Sequence, residues 1–157
     1  SSDTAKFGFV FARRGIVTEA CSSWFLPRVV GISRATEWVF TGRMISPKEA
    51  CDAGLVRSVH SGGDLLGVAQ ILAKEIVENT APVSVALSRQ MLWRMLGASH
   101  PMEAHRAESR GILQRGKSLD AREGVMSFLE KRAANFTMKV STEMPNLFPD
   151  WQDPEFR

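Results

Sequence analysis

The residues best suited to chemistry lie in one run, Gly15-Ile16-Val17-Thr18-Glu19-Ala20-Cys21-Ser22-Ser23-Trp24-Phe25-Leu26-Pro27-Arg28. A single carboxylate, Glu19, stands there among apolar and small residues, at the expected start of a helix. If Ile16, Trp24 or Phe25 line a pocket around it, they exclude water and suit Glu19 to moving a proton. The same residue has a purely structural reading. An acid in a first helical turn offsets the helix dipole, worth about 0.3–1 kcal/mol, and spacing alone does not separate the two roles.

Other chemistries lack their residues. The chain has no GxGxxG, Walker loop, GxSxG elbow or HExxH, which removes the sequence basis for nucleotide-binding, serine-hydrolase and zincin readings. His60, His100 and His105 are too scattered for a metal site, and His105 near Glu103 and Glu108 reads as solvated or capping; no metal is called for. Cys21 and Cys51 stand outside any CxxC pattern, so reduced thiols and a cytoplasmic setting are expected.

The charge balance is mild. A net charge of +3, with arginines scattered from Arg13 to Arg157, gives no support for nucleic-acid binding and is compatible with a small phosphorylated ligand. No apolar run approaches the ~20 residues that span a bilayer, and no membrane partner is expected.

The elements that must position Glu19 can be read from periodicity. Phe7 to Phe11 reads as a short buried strand closed by Arg13, Arg14 and Gly15, and Val56 to His60 as a second strand. Ser46-Pro47-Lys48-Glu49 has the pattern of a capping box with proline at the first helical position, and Gly54 of a left-handed stop. Asp64 opens an amphipathic helix carrying Leu65, Val68, Ala69, Leu72 and Ile76 on one face. Pro82 opens another, with Val83, Leu87, Met91 and Met95 every fourth residue, widened by Leu92, Trp93 and Leu96. A weaker helical stripe runs from Met102 to Arg115 and ends at Gly116. Asp120, with Glu123 three residues on, starts a final helix whose Val125, Phe128 and Leu129 are expected to face inward.

From Phe136 to Arg157, Pro145, Pro149 and Pro154 alternate with Phe148, Trp151 and Phe156. Helix is not expected there; the segment either straps across a surface or stays disordered. So many helices with so few strands make an α-rich unit with no sheet for Phe7 to Phe11 to join, so the remaining strands are expected upstream of Ser1.

Three ordered landmarks carry a family resemblance. Ala5-Lys6-Phe7-Gly8 followed by Gly15 to Ser23 and Leu26-Pro27-Arg28-Val29-Val30-Gly31, then Ala35 to Gly42 with Ile45 to Leu55, then Asp120 to Arg132, are similar in order to the enoyl-CoA hydratase/isomerase (crotonase) family. The resemblance implies an α/β crotonase-like fold, of which this chain is the mostly α-helical C-terminal part with one or two short strands. It divides into 1–60, the C-terminal part of the crotonase core; 61–134, a helical oligomerisation region; and 135–157, an extended tail.

The same resemblance implies an acyl-CoA substrate, with coenzyme A as part of that substrate and no separate cofactor. The family stabilises an enolate with two backbone N–H groups on loops expected to precede Ser1, so the chain alone is expected to be inactive. Hydratases of the family use two glutamates, and Phe11 occupies the position aligned with one of them. Thr18 to Ser23 is similar to the loop of peroxisomal-type enoyl-CoA isomerases, and the resemblance places the single acid–base on Glu19. Phe11, Ile16, Trp24 and Phe25 are the expected pocket residues. Phe128 and Lys131 match residues that reach the CoA nucleotide, their bland alternative being a core ring and a solvated ammonium. A homo-trimer or hexamer is implied. A hydratase with an unusual site and a catalytically silent CoA-binding scaffold are the competing readings.

Overall fold

The computed structural model describes residues 1–152 and 155, and the chain forms two compact units that meet at Leu72 and Ala73. Each is built around its own small core. No helix among the described residues is long and apolar enough to cross a membrane.

In the first unit, β1 (Phe7–Gly8) is followed by a 3-10 turn (Ala12–Arg14), α1 (Ser22–Val30), α2 (Ile32–Thr41), β2 (Met44–Ile45) and α3 (Pro47–Asp52). The expected strand from Phe7 to Phe11 is therefore only two residues long, because Phe11 already has helical dihedrals as it enters the 3-10 turn. Its partner is β2, antiparallel, with Phe7 opposite Ile45 and Gly8 opposite Met44. Val56 to His60 does not form the expected strand. Leu55 and Val56 pack against the core instead, and pairing is confined to a parallel bridge between Ser2 and His60.

α1 and α2 are separate helices because Gly31 sits between them at φ 81°, a conformation that disfavours any residue with a Cβ. The turn lets Leu26 and Val30 of α1 face Ala35 and Trp38 of α2. Ile45, Ala50 and Ala53 complete this core, and Phe9 stacks on Trp38 with ring centroids 6.3 Å apart.

Trp38 is almost fully buried, so its indole N–H needs an acceptor. Glu49 Oε1 supplies it at 3.1 Å. The Glu49 carboxylate is in turn held by Arg43, whose Nη1 donates to Oε2 at 2.8 Å and whose Nη2 reaches both Glu49 and Glu37. Ser46 Oγ accepts from the Glu49 backbone N–H at 3.2 Å, as the capping pattern requires. The reciprocal half of the box is missing, because the Glu49 side chain is drawn to Arg43 and Trp38 rather than back to the N-cap.

α4 (Leu65–Asn79) carries the unit boundary and buries no residue. Leu65, Val68 and Leu72 of its expected stripe are half-buried, while Ala69 and Ile76 are exposed. The second unit then contains α5 (Pro82–Met95), α6 (Pro101–Arg115), α7 (Leu119–Glu130) and a short α8 (Val140–Glu143). His100 caps α6 by accepting from the Met102 N–H through Nδ1 at 3.1 Å, so this histidine is structural.

α7 begins one step earlier than expected. Ser118 is its N-cap, accepting from the Ala121 N–H at 3.1 Å, which leaves Asp120 inside the helix and buried. Asp120 lies 3.2 Å from Arg115 and accepts the Thr137 and Met138 N–H groups at 3.1 and 3.2 Å. Glu123 binds Arg132 and accepts the Asn135 N–H at 2.7 Å. Two acids thus fold the segment after α7 back along the helix.

That return path reverses an expectation. The covered side of α7 holds Asp120, Gly124 and Ser127, with the Phe136 ring close to Gly124, whereas Val125, Phe128 and Leu129 are exposed, Phe128 by 82%. Apolar periodicity located the stripe but not what covers the opposite face.

The tail is not helix-free, since α8 interrupts it, but most of it is extended. It straps across its own unit: Leu147 is 1% exposed and forms a core with Val83 and Leu87, against which Met91, Met138, Met144 and Phe148 pack. Pro154 and Phe156, expected to belong to the same strap, lie outside the described residues.

Two outcomes follow for stability. Leu87→Ala empties part of the second core and is expected to cost about 2–5 kcal/mol, measured by urea unfolding. Glu123 is pulled down to about 2, first by the Arg132 guanidinium and then by the Asn135 N–H. A folded-state value below the unfolded one means its contribution is complete above the ordinary carboxylate range and is lost as the pH falls toward 2. Between pH 5 and 2, Glu123→Gln should therefore show a shallower fall in urea midpoint than the parent chain.

Candidate active site

Glu19 sits three residues ahead of α1, not within it. Gly15, at φ 72°, ends the 3-10 turn, and the chain then runs without regular structure to a tight turn at residues 19–22. The Glu19 carbonyl accepts from the Ser22 N–H at 3.0 Å and from Ser22 Oγ at 2.7 Å, so Ser22 both closes the turn and starts the helix. Ala20 and Cys21 adopt φ 53° and 55°. Two consecutive residues with a Cβ in the left-handed region are costly, and here they immediately follow the one candidate base.

The Glu19 side chain is exposed and makes no hydrogen bond or ion pair among the described residues. Glu37, Glu49 and Asp52 of the same unit are all engaged by cations. A groove of about 180 Å³ is lined by Thr18, Ser22 and Ser23, near Glu19 in sequence, and by apolar side chains of α1 and α2, including Leu26, Ala35 and Val39; Glu19 itself does not line it. The groove combines four hydroxyls, those of Thr18, Ser22, Ser23 and Thr36, with an apolar wall. A carboxylate free of partners is available to accept and return a proton.

The expected pocket residues are distributed differently. Phe11 is half-buried at the entry to the 3-10 turn, Ile16 is 58% exposed and Phe25 40% exposed. Trp24 packs edge-on to Phe25 at 4.7 Å and lies under the Arg28 guanidinium, 4.0 Å from the ring centroid. None of the four lines that groove. The groove residues missed in the sequence carried a usable signal: Ala35 and Val39 are one helical turn apart and directly follow the Gly31 break that folds α2 against α1.

In the second unit, Phe128 and Lys131 are both exposed at the C-terminal end of α7. Lys131 is its left-handed cap at φ 54°, with its N–H bonded to the Phe128 carbonyl at 3.3 Å. Their proximity is thus built into the helix end. No group of three or more His, Cys, Asp or Glu side chains suited to a metal occurs among the described residues.

Residues 1–139 match the family described as enoyl-CoA hydratase/isomerase. An enoyl-CoA hydratase of Alternaria alternata is 39% identical over 137 residues, covering 87% of this chain and 46% of the relative. The 1,2-epoxyphenylacetyl-CoA isomerase of Escherichia coli K12 is 32% identical over 143 residues, covering 87% of the chain and 51% of the relative. The crystal structure of enoyl-CoA hydratase from Mycobacterium tuberculosis H37Rv superposes with a TM-score of 0.80 at 26% identity, over 87% of this chain and 53% of that one. The chain spans about half the length of the curated relatives it matches. These relatives carry hydratase and epoxyphenylacetyl-CoA isomerase names, not the peroxisomal isomerase type suggested by Thr18 to Ser23.

The strained turn gives a local test. Ala20→Gly should leave stability equal or raised, and Ala20→Val should lower it by about 1–2 kcal/mol in urea unfolding, because a β-branched residue tolerates the left-handed region least. The reverse order would mean that the turn after Glu19 is not left-handed in solution.

Proposed function

The chain belongs to the enoyl-CoA hydratase/isomerase family, and we propose that it supplies the acid–base half of an acyl-CoA site that moves a double bond through an enolate. Glu19 is the single proton carrier. Its carboxylate removes a proton from C2 of a 3-enoyl thioester, the electron pair delocalises onto the thioester oxygen, and the protonated Glu19 returns the proton at C4. The double bond then lies at C2 and Glu19 is again ionised. The observation that supports this reading is the exposed Glu19 carboxylate, without a hydrogen bond or ion pair among the described residues, one residue from Thr18, which lines an apolar groove that Glu19 itself does not line.

The enolate oxygen needs donors aimed at the charge that develops on it. This role is assigned to polypeptide corresponding to the half of the relatives that this chain does not span, and the chain alone is accordingly proposed to be inactive. Phe128 and Lys131 are proposed to hold the CoA nucleotide, an exposed ring for the base and an ammonium for a phosphate. The exposed apolar side of α7, with Ile112 and Leu113 of α6, supports assembly into a trimer or hexamer in which such surface is covered.

Hydration of a 2-enoyl thioester is the second reading, favoured by the names of the Alternaria relatives. Phe11 weighs against it, since a phenyl ring can neither accept a proton nor orient water. Glu19→Gln in the full protein carrying this chain separates the cases. Isomerisation and C2 proton exchange should fall by about 100-fold or more, with acyl-CoA binding little changed. Retained turnover removes Glu19 as the base, faster hydration than isomerisation selects the hydratase reading, and binding without C2 exchange in the parent protein leaves a silent CoA-binding module.

A further inference from the structure

The tail's docking is unlike the packing of the helices beneath it. Leu147 is its one deeply buried side chain, set between Val83 and Leu87 of α5 and Gly111 of α6, where an added Cβ would come within 3.3 Å of Leu147 Cδ1. Around this anchor Met144 and Phe148 are only half-buried as they pack against the same core. The Arg94 guanidinium lies 4.5 Å from the Phe148 ring centroid and 4.7 Å from that of Trp151. Arg110 donates to the Leu147 carbonyl at 3.2 Å and stands 3.7 Å from the exposed Asp150 carboxylate. Among the described residues no strand pairing involves residues 144–150, and the backbone N–H of Phe148 bonds locally, to Asn146 Oδ1.

The segment also has a fixed root. Residues 135–138 are pinned to α7 through Glu123 and Asp120, so the strap can lift beyond Lys139 without disturbing that helix. Beside Leu147 the groove continues as an open cavity of about 350 Å³, bordered by Ser84, Met91, Ile112 and Arg115. The strap therefore fills one end of a longer groove. It also lies beyond residues 1–139, the part that matches the family.

We propose that residues 144–151 are a releasable latch: a peptide-like ligand, held in cis by the α5–α6 groove, whose departure frees that groove for an extended segment of the same chemistry. That chemistry is a leucine for the slot, aromatic rings for Arg94 and an acid for Arg110. The latch is independent of the reaction proposed for Glu19. Its geometry is that of a short peptide whose one apolar side chain enters a pocket between helices while cations select the flanks.

The test uses the intact chain, amide hydrogen exchange and a fluorescent peptide of residues 140–152. In the parent chain the tail amides should be protected and the peptide should not bind saturably, because the groove is occupied. Leu147→Asp should bring residues 146–151 to unfolded-peptide exchange rates, leave residues 135–139 and α7 protected, and allow the peptide to bind in trans; Leu147→Met should stay closed. Arg94→Ala, which leaves the apolar anchor intact, should speed tail exchange by roughly 3- to 10-fold. The latch is overturned if the tail of Leu147→Asp stays protected, if protection is also lost in α7, or if both chains bind the peptide equally.

Discussion

A polar group taken out of water must find a partner, and this requirement ties the chain's distant segments together. Trp38 of α2 buries its indole in the first core, and its N–H is satisfied there by Glu49, which lies on α3. Glu49 is then fixed by Arg43, which comes from the link between α2 and β2 and also takes Glu37. Arg43 holds the Glu49 carboxyl below its usual range, Trp38 adding to the effect. One indole proton and one guanidinium thus tie α3 to α2 beside the apolar contacts of Ile45 and Ala50.

The second unit repeats the device with a different group. Asp120 is buried on α7 and is made tolerable by Arg115 and two backbone N–H groups of the returning chain. Those bonds decide which side of α7 is covered. They also bring Met138 and the strap toward α5, so a single carboxylate links the end of the family-matched segment to the core that Leu147 completes.

The proposed chemistry sits where these constraints relax. Around Glu19 the backbone is strained at Ala20 and Cys21, yet the carboxylate has no partner among the described residues, in contrast to the engaged acids of α2 and α3. A group held by its backbone and left free at its side chain is suited to exchanging a proton with something that arrives. The apolar side chains left exposed on α4, α6 and α7 carry the same message at larger scale. Their stripes are regular, and the described residues leave them uncovered.

Local order was largely legible. Proline at the first turn of α3 and α5, the Ser46 cap and the every-fourth-residue stripe of α5 each act over a few residues and needed no knowledge of the rest. The landmark order from Ala5 to Arg132 likewise identified the family and drew attention to Glu19. What the sequence could not decide was which of two chemically similar options the long-range contacts would select. Phe7, with no strand expected for it to join in this chain, pairs with Ile45, and the apolar stripe of α7 turns outward because Asp120 and Glu123 capture backbone amides up to eighteen residues away. Leu147, in a proline-punctuated segment, becomes a core residue through Val83 and Leu87, with Gly111 leaving room beside it. Helix periods and caps are set by neighbours along the chain, whereas burial is settled by partners that only the folded chain brings within reach.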